Sequence, residues 1–134
     1  FIHHHKVAAK FVLGQGTENW KQQFNFDASP FSDNIFTHAI KLGGAIWLKD
    51  NELKRISASS DSRPIIDCVG EQECLLFALD VNGRKPAVFY ADRSNFGGAI
   101  AQDHFESFRH FAVQAQINLC RVSAPKARPI SAAR

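Results

Sequence analysis

Asn82-Gly83 stands between two apolar runs, Leu75-Leu76-Phe77-Ala78-Leu79 and Ala87-Val88-Phe89-Tyr90. An Asn-Gly pair flanked this way is the strongest short-range hairpin signal, because both residues tolerate the positive φ of a two-residue turn. Leu75–Arg93 is therefore expected to be an antiparallel ribbon. Two registers are open. A two-residue turn sets Phe77 opposite Val88, Leu75 opposite Tyr90 and Asp80 opposite Lys85, but it puts Pro86 at a ladder site that needs an N–H. A three-residue loop with Gly83 in a bulge pairs Asp80 with Arg84 instead, and is preferred. Either register leaves both faces apolar, so both need cover. Helices are expected over one face and loops over the other, with a cavity above Ala78 on the looser side.

A long helix is expected next. Asp103 and Glu106 form a capping-box start, and Phe105, Phe108, Ala112, Ala115, Leu119 and Val122 recur every three or four residues. Phe111 and Ile117 widen that stripe beyond what one sheet face requires. The surplus implies a second partner, either the Ser29 helix or another copy of the chain. That Ser29 helix has Ser29-Pro30 as its start, Phe31, Ile35, Ala39 and Leu42 as its apolar face, and Gly43-Gly44 as its stop. A strand over Ala45–Leu48, a turn at Asp50-Asn51 and a strand from Leu53 to Ser59 read as a first hairpin. Ser59–Glu73 reads as a loop punctuated by Pro64 and Gly70 and anchored by Ile65-Ile66.

Ahead of this, residues 1–13 have a short helical period in Val7, Ala8, Phe11 and Val12. Glu18–Asp27 reads as a linker that docks through Trp20, Phe24 and Phe26. The expected division is an N-terminal helix and linker over 1–28, one domain over 29–122 and a flexible tail over 123–134. His3-His4-His5 suits a tag remnant or a solvated helix end better than a metal site, since adjacent helix positions diverge by 100°.

With 134 residues, 45% hydrophobic and 22% charged, the chain has the composition of a soluble globular domain. No apolar run reaches the roughly 18 residues of a membrane span. A net charge of +3 is mild. The basic tail residues Arg121, Lys126, Arg128 and Arg134 lack interleaved aromatics, so they indicate a solvated linker rather than a nucleic-acid surface. Three cysteines in no close-set framework suggest free thiols and a reducing, cytoplasmic compartment. Phe1-Ile2-His3 lacks a signal-peptide profile and reads as a piece of a longer polypeptide.

The order helix, hairpin, long loop, hairpin, terminal helix resembles a GAF domain. So do Val88-Phe89-Tyr90-Ala91-Asp92 at the end of a strand and Gln114-Ala115 in the helix after it. The wording over about Pro30–Val122 is similar to the GAF-like region of bacterial HDOD-domain signal transduction proteins. The resemblance implies an α+β, profilin-like antiparallel sheet with N- and C-terminal helices packed on one face and loops over the other. It also implies a non-enzymatic regulatory domain that binds a small molecule or a protein partner and sits beside an upstream signalling domain. Homodimers form in such domains through the terminal helices, here Phe105, Phe108, Ala112, Ala115 and Leu119. The Asn-Lys-x-x-Phe-Asp-Glu signature of cyclic-nucleotide-binding members is absent, as is the Cys-His pattern of bilin-attaching ones, so no cofactor is expected.

The residues suggest further candidates. Trp47 and Tyr90 suit a pocket wall, and Ala78, Asp92 and Arg93 complete a candidate ligand site, with Asp92-Arg93 as a charged fork. As plain structure, Asp92 would bond loop donors and Arg93 would pair with Glu106. Cys68 and Cys74 are six apart, wrong for common zinc spacing. They leave a thiol oxidoreductase of the free methionine sulfoxide reductase kind as the alternative function, with structural thiols as its plain counterpart. A ligand-free dimerisation module is the third reading. His38, His104 and His110 have no nucleophile in a recognisable elbow, and Gly97-Gly98 lacks the Lys-Ser/Thr of a phosphate loop.

Overall fold

The computed structural model describes residues 1–10, 12–14, 20–93 and 99–123, built around two three-stranded antiparallel sheets. The first has the order β1 (Ile2–His3), β2 (Lys6–Ala8), β3 (Asn25–Asp27). The second has the order β4 (Gly44–Leu48), β5 (Cys74–Ala78), β6 (Val88–Asp92). The helices are α1 (Trp20–Gln23), α2 (Ile35–Leu42), α3 (Asp50–Ser57), α4 (Arg63–Val69) and α5 (Gln102–Ser123), with a 3-10 turn at Ser60–Ser62. The chain is an α+β protein.

Alternation along the second sheet decides what covers it. Leu76 lies between Ile46 and Tyr90, and Leu75 between Trp47 and Ala91. Successive side chains point to opposite faces. One face therefore carries Ile46, Leu48, Cys74, Leu76, Ala78, Val88 and Tyr90. It packs on Ile35, Phe36 and Ala39 of α2, Ile56 of α3, Ile65 and Val69 of α4, and Val7, Phe24 and Phe26 of the first sheet. The other carries Phe77 and Phe89 and meets Phe108, Ala112 and Val113 of α5. Every residue of β5 is buried, as a strand covered on both sides must be. The expectation of both terminal helices on one face is corrected: α2 and α5 lie on opposite faces.

The ribbon forms, in neither expected register. Val81 bridges Arg84 across a two-residue turn, with Asn82 at φ 56° and Gly83 at φ 81°. Beyond it Leu79 donates to the Ala87 carbonyl, and Phe77 faces Phe89. Lys85 and Pro86 thus oppose the single residue Asp80, which is a β-bulge. The bulge absorbs Pro86 where no ladder N–H is required and shifts the strands by one residue. The expected charge pair survives, with Lys85 Nζ 2.8 Å from Asp80 Oδ2.

Other local readings are corrected. Residues 1–13 contain the β1–β2 hairpin rather than a helix, and Val7, Phe24 and Phe26 join the same apolar cluster as Phe36 and Leu76. The 1–28 segment and the 29–122 segment therefore share one core. Asn34, not Ser29, caps α2: its Oδ1 accepts from the Phe36 and Thr37 N–H groups while Thr37 Oγ1 accepts from the Asn34 N–H. Phe31 is consequently outside the helix and 95% exposed, and Leu42 is 60% exposed. Gly43 ends α2 as expected.

Leu53–Ser59 is not a strand. The chain turns at Asp50 (φ 54°) and runs straight into α3, with Asp50 and Glu52 in the first turn, Lys54 and Arg55 in the last, and Ile56 buried. The expected loop over Ser59–Glu73 holds α4, with Pro64 in its first turn and Gly70 as its cap. Ile65 is the buried anchor that the sequence suggested. The start of α5 is capped by His104, whose Nδ1 accepts from the Ala101 N–H at 2.9 Å. Asp103 merely lies in the first turn.

Candidate functional site

β6 is an edge strand, and its open side faces the first sheet. The Leu79–Ala87 bond fixes the alternation, so the backbone groups of Pro86, Val88 and Tyr90 point away from β5. Pro86 is bonded there by the Ile2 N–H at 2.8 Å. Further along, the two sheets diverge around a cavity of about 200 Å³ walled by Trp20, Phe24, Phe36, Val88 and Tyr90, with Lys10 among its lining. Trp20 meets the Tyr90 ring edge-on with centroids 6.2 Å apart, and Phe24 meets Phe36 at 5.5 Å. Of these walls only Tyr90 was legible as a candidate. The signal for Trp20 and Phe24 was the polar stretch that embeds them, and both dock on the core as read.

At the end of β6 the Tyr90 hydroxyl donates to Asp92 Oδ2 at 2.6 Å, and Gln72 Nε2 donates to the same oxygen at 3.2 Å. Desolvation raises the Tyr90 pKa, helped by Cys74 and by the bond to Asp92, so the phenol stays protonated. Asp92 is thus occupied by a structural network. Arg93 Nη1 donates to the Ala99 carbonyl at 3.3 Å, linking the strand end to the approach of α5.

The five candidate ligand residues do not converge. Trp47 is on the α5 face, where its ring stacks on Phe105 at 5.7 Å, lies under Lys49 Nζ at 3.9 Å and donates to Glu73 Oε1. Ala78 and Tyr90 are on the opposite face, where Ala78 is buried in the main core and is not among the residues that line the cavity beside Tyr90. The sheet separates the two halves of that candidate site.

The environments of Cys68 and Cys74 disfavour the thiolate. Burial, followed by Asp92 and Glu73, pushes Cys74 up to about 12, and burial also raises Cys68. A nucleophilic thiol needs the opposite shift. Cys68, Cys74 and Cys120 are all free, and no cluster of metal-ligating side chains occurs among the described residues. His38 Nε2 sits 2.8 Å from Glu52 Oε1 without hydrogen-bond alignment, tying α2 to α3 rather than addressing a cavity. Gly97-Gly98 and the tail cations Lys126, Arg128 and Arg134 lie outside the described residues.

The expected α5 interface divides. Phe105, Phe108 and Ala112 turn towards the sheet, and the next inward positions are Gln116, which accepts from the Asp80 N–H at 2.7 Å, and Cys120, 3.5 Å from the Asp80 carbonyl. Ala115 is half-buried. Leu119, Phe111 (62% exposed) and Val122 (82%) are exposed, Phe111 at the rim of the contact with its ring 5.5 Å from that of Phe89 and Leu119 beside a cleft shared with Leu79 and Ala87. The Ser29 helix cannot cover them, because α2 lies behind the sheet. None of the described helices is long and apolar enough to cross a membrane. No protein family, curated protein or solved structure matches the chain.

Proposed function

We propose that this chain is a GAF-like regulatory domain of a bacterial signalling protein, acting by self-association through α5 rather than by chemistry of its own. The observation that carries the reading is the apolar stripe Phe111, Ala115, Leu119, Val122, which the sheet leaves partly or largely exposed. It steps 4, 4, 3 along a 22-residue helix of which only Ala112 is fully buried. Such spacing is the seam of a paired helix, and a second α5 offers the matching surface. The resemblance in Val88–Asp92 and Gln114-Ala115 supports the same assignment. The raised thiol pKa values weigh against the oxidoreductase alternative. A small-molecule ligand, on this reading, occupies the cavity beside Trp20 and Tyr90, and signals by altering how the first sheet sits against β6.

Sedimentation equilibrium tests the proposal. The expected result is a dimer at micromolar concentration that Phe111→Ser with Leu119→Ser weakens by about tenfold or more, the effect of losing buried apolar anchors. A monomer across that range, or an unchanged dimer in the double variant, overturns it.

A further inference from the structure

A second cavity, of about 490 Å³, opens beside the β1–β2 turn. Its apolar walls are Ile2, Ala28, Pro30 and Ile40. Around them stand His4 and His5 from the β1–β2 turn, Lys41 from the last turn of α2, and Lys85 from the bulge before β6. No Asp or Glu is among the lining residues. Three segments far apart in sequence thus bring four nitrogen cations or potential cations to one cleft. His4 (φ 50°) and His5 (φ 60°) both sit in the left-handed region that a two-residue turn demands. Asn-Gly is the residue pair that suits such a turn, and two histidines there carry local strain.

We propose that this cleft binds a small organic anion with an apolar body, the body against Ile2, Ala28, Pro30 and Ile40 and the anionic group between His4, His5 and Lys41. Lys85 lends less, because Asp80 already neutralises it at 2.8 Å. The other charged groups nearby are spoken for or point elsewhere. Lys6 faces Asp27 across the ladder, Asp27 accepts from the Ser29 N–H, and His38 turns to Glu52. His3 stacks edge-on against His4, with centroids 4.0 Å apart. Lys41 is the standing charge, and the ring N–H groups of His4 and His5 are further donors to the anionic group.

Benzoate is the probe, with acetate as the comparison lacking an apolar body. Calorimetric titration at neutral pH is expected to show benzoate binding about tenfold more tightly than acetate, the effect of burying the apolar body. His4→Asn with His5→Gly installs the favoured turn pair, so the hairpin and the melting temperature are retained. That double variant, and separately Lys41→Gln, are each expected to weaken benzoate by about fivefold or more, the effect of losing hydrogen bonds to a charged group. Equal affinity for acetate and benzoate, or a benzoate affinity that neither variant weakens, would overturn the assignment.

Discussion

The two faces of the β4–β5–β6 sheet are built differently. On one, α2, α3, α4 and the first sheet converge on Leu48, Leu76 and Ala78, all at 1% exposure or less. On the other, α5 is the one helix among the described residues, and although it covers Phe77 and Leu79, only Ala112 of its own residues is fully buried, with Gln116 and Cys120 continuing the contact through polar bonds to Asp80. A face closed by many elements acts as a core. A face closed by one helix whose outer side is still apolar acts as a joint, and joints are where a partner or a signal can work.

The largest expected effect breaks or sustains this contrast directly. Leu76→Ala empties a fully buried site on the core face and should cost about 3–5 kcal/mol in urea denaturation. Phe108→Ala, on a half-buried ring under α5, should cost about 1–2 kcal/mol. Amides of α5 should exchange with solvent ahead of those of β5. Equal losses from the two substitutions, or protection of α5 to the level of β5, would show the faces to be one cooperative unit.

Alkaline pH probes the core face by another route. Cys74 has an ordinary value of 9.0 and is pushed up to about 12 in the folded chain. The unfolded chain therefore loses this proton first. The stabilisation is complete below about pH 9 and is lost as pH rises towards 12, at up to about 1.4 kcal/mol per pH unit. Tyr90 adds in the same direction. Cys74→Val should flatten part of that slope without changing stability near pH 7 by more than about 1 kcal/mol. A slope identical in the variant would mean that Cys74 titrates freely.

Local rules made much of this legible. Asn82-Gly83, the Phe105–Ala112 half of the helix, the strand at Ala45–Leu48 and the Ile65 anchor all follow from signals read within a few residues. The failures have one physical origin: choices settled by distant partners. Val7 and Ala8 fit a helical period as well as a strand, and pairing with Phe26 and Asn25 decides for the strand. Ser29-Pro30 is a sound cap in isolation. Asn34 wins because it also donates to the Asp27 carbonyl at 2.7 Å, while Ser59 and Ser62 hold the Asp33 carbonyl from the 3-10 turn. The candidate ligand residues lie apart for a related reason. Trp47 and Tyr90 are apt wall residues, and only strand register reveals that the sheet lies between them.

The smallest effect concerns that register. Were Pro86 a regular ladder residue, replacing it with alanine would restore a missing hydrogen bond and strengthen the ribbon. In the bulge its nitrogen has no ladder partner to regain, and its carbonyl already accepts from Ile2. Pro86→Ala then acts mainly by loosening the unfolded chain, for a loss of about 0.4–1 kcal/mol in urea denaturation. A gain in stability would place Pro86 back in the ladder, straighten the ribbon and move Tyr90 off the face that the cavity occupies. The sign of a sub-kilocalorie change at one proline thus tests which residues of β6 look towards the first sheet and which towards α5.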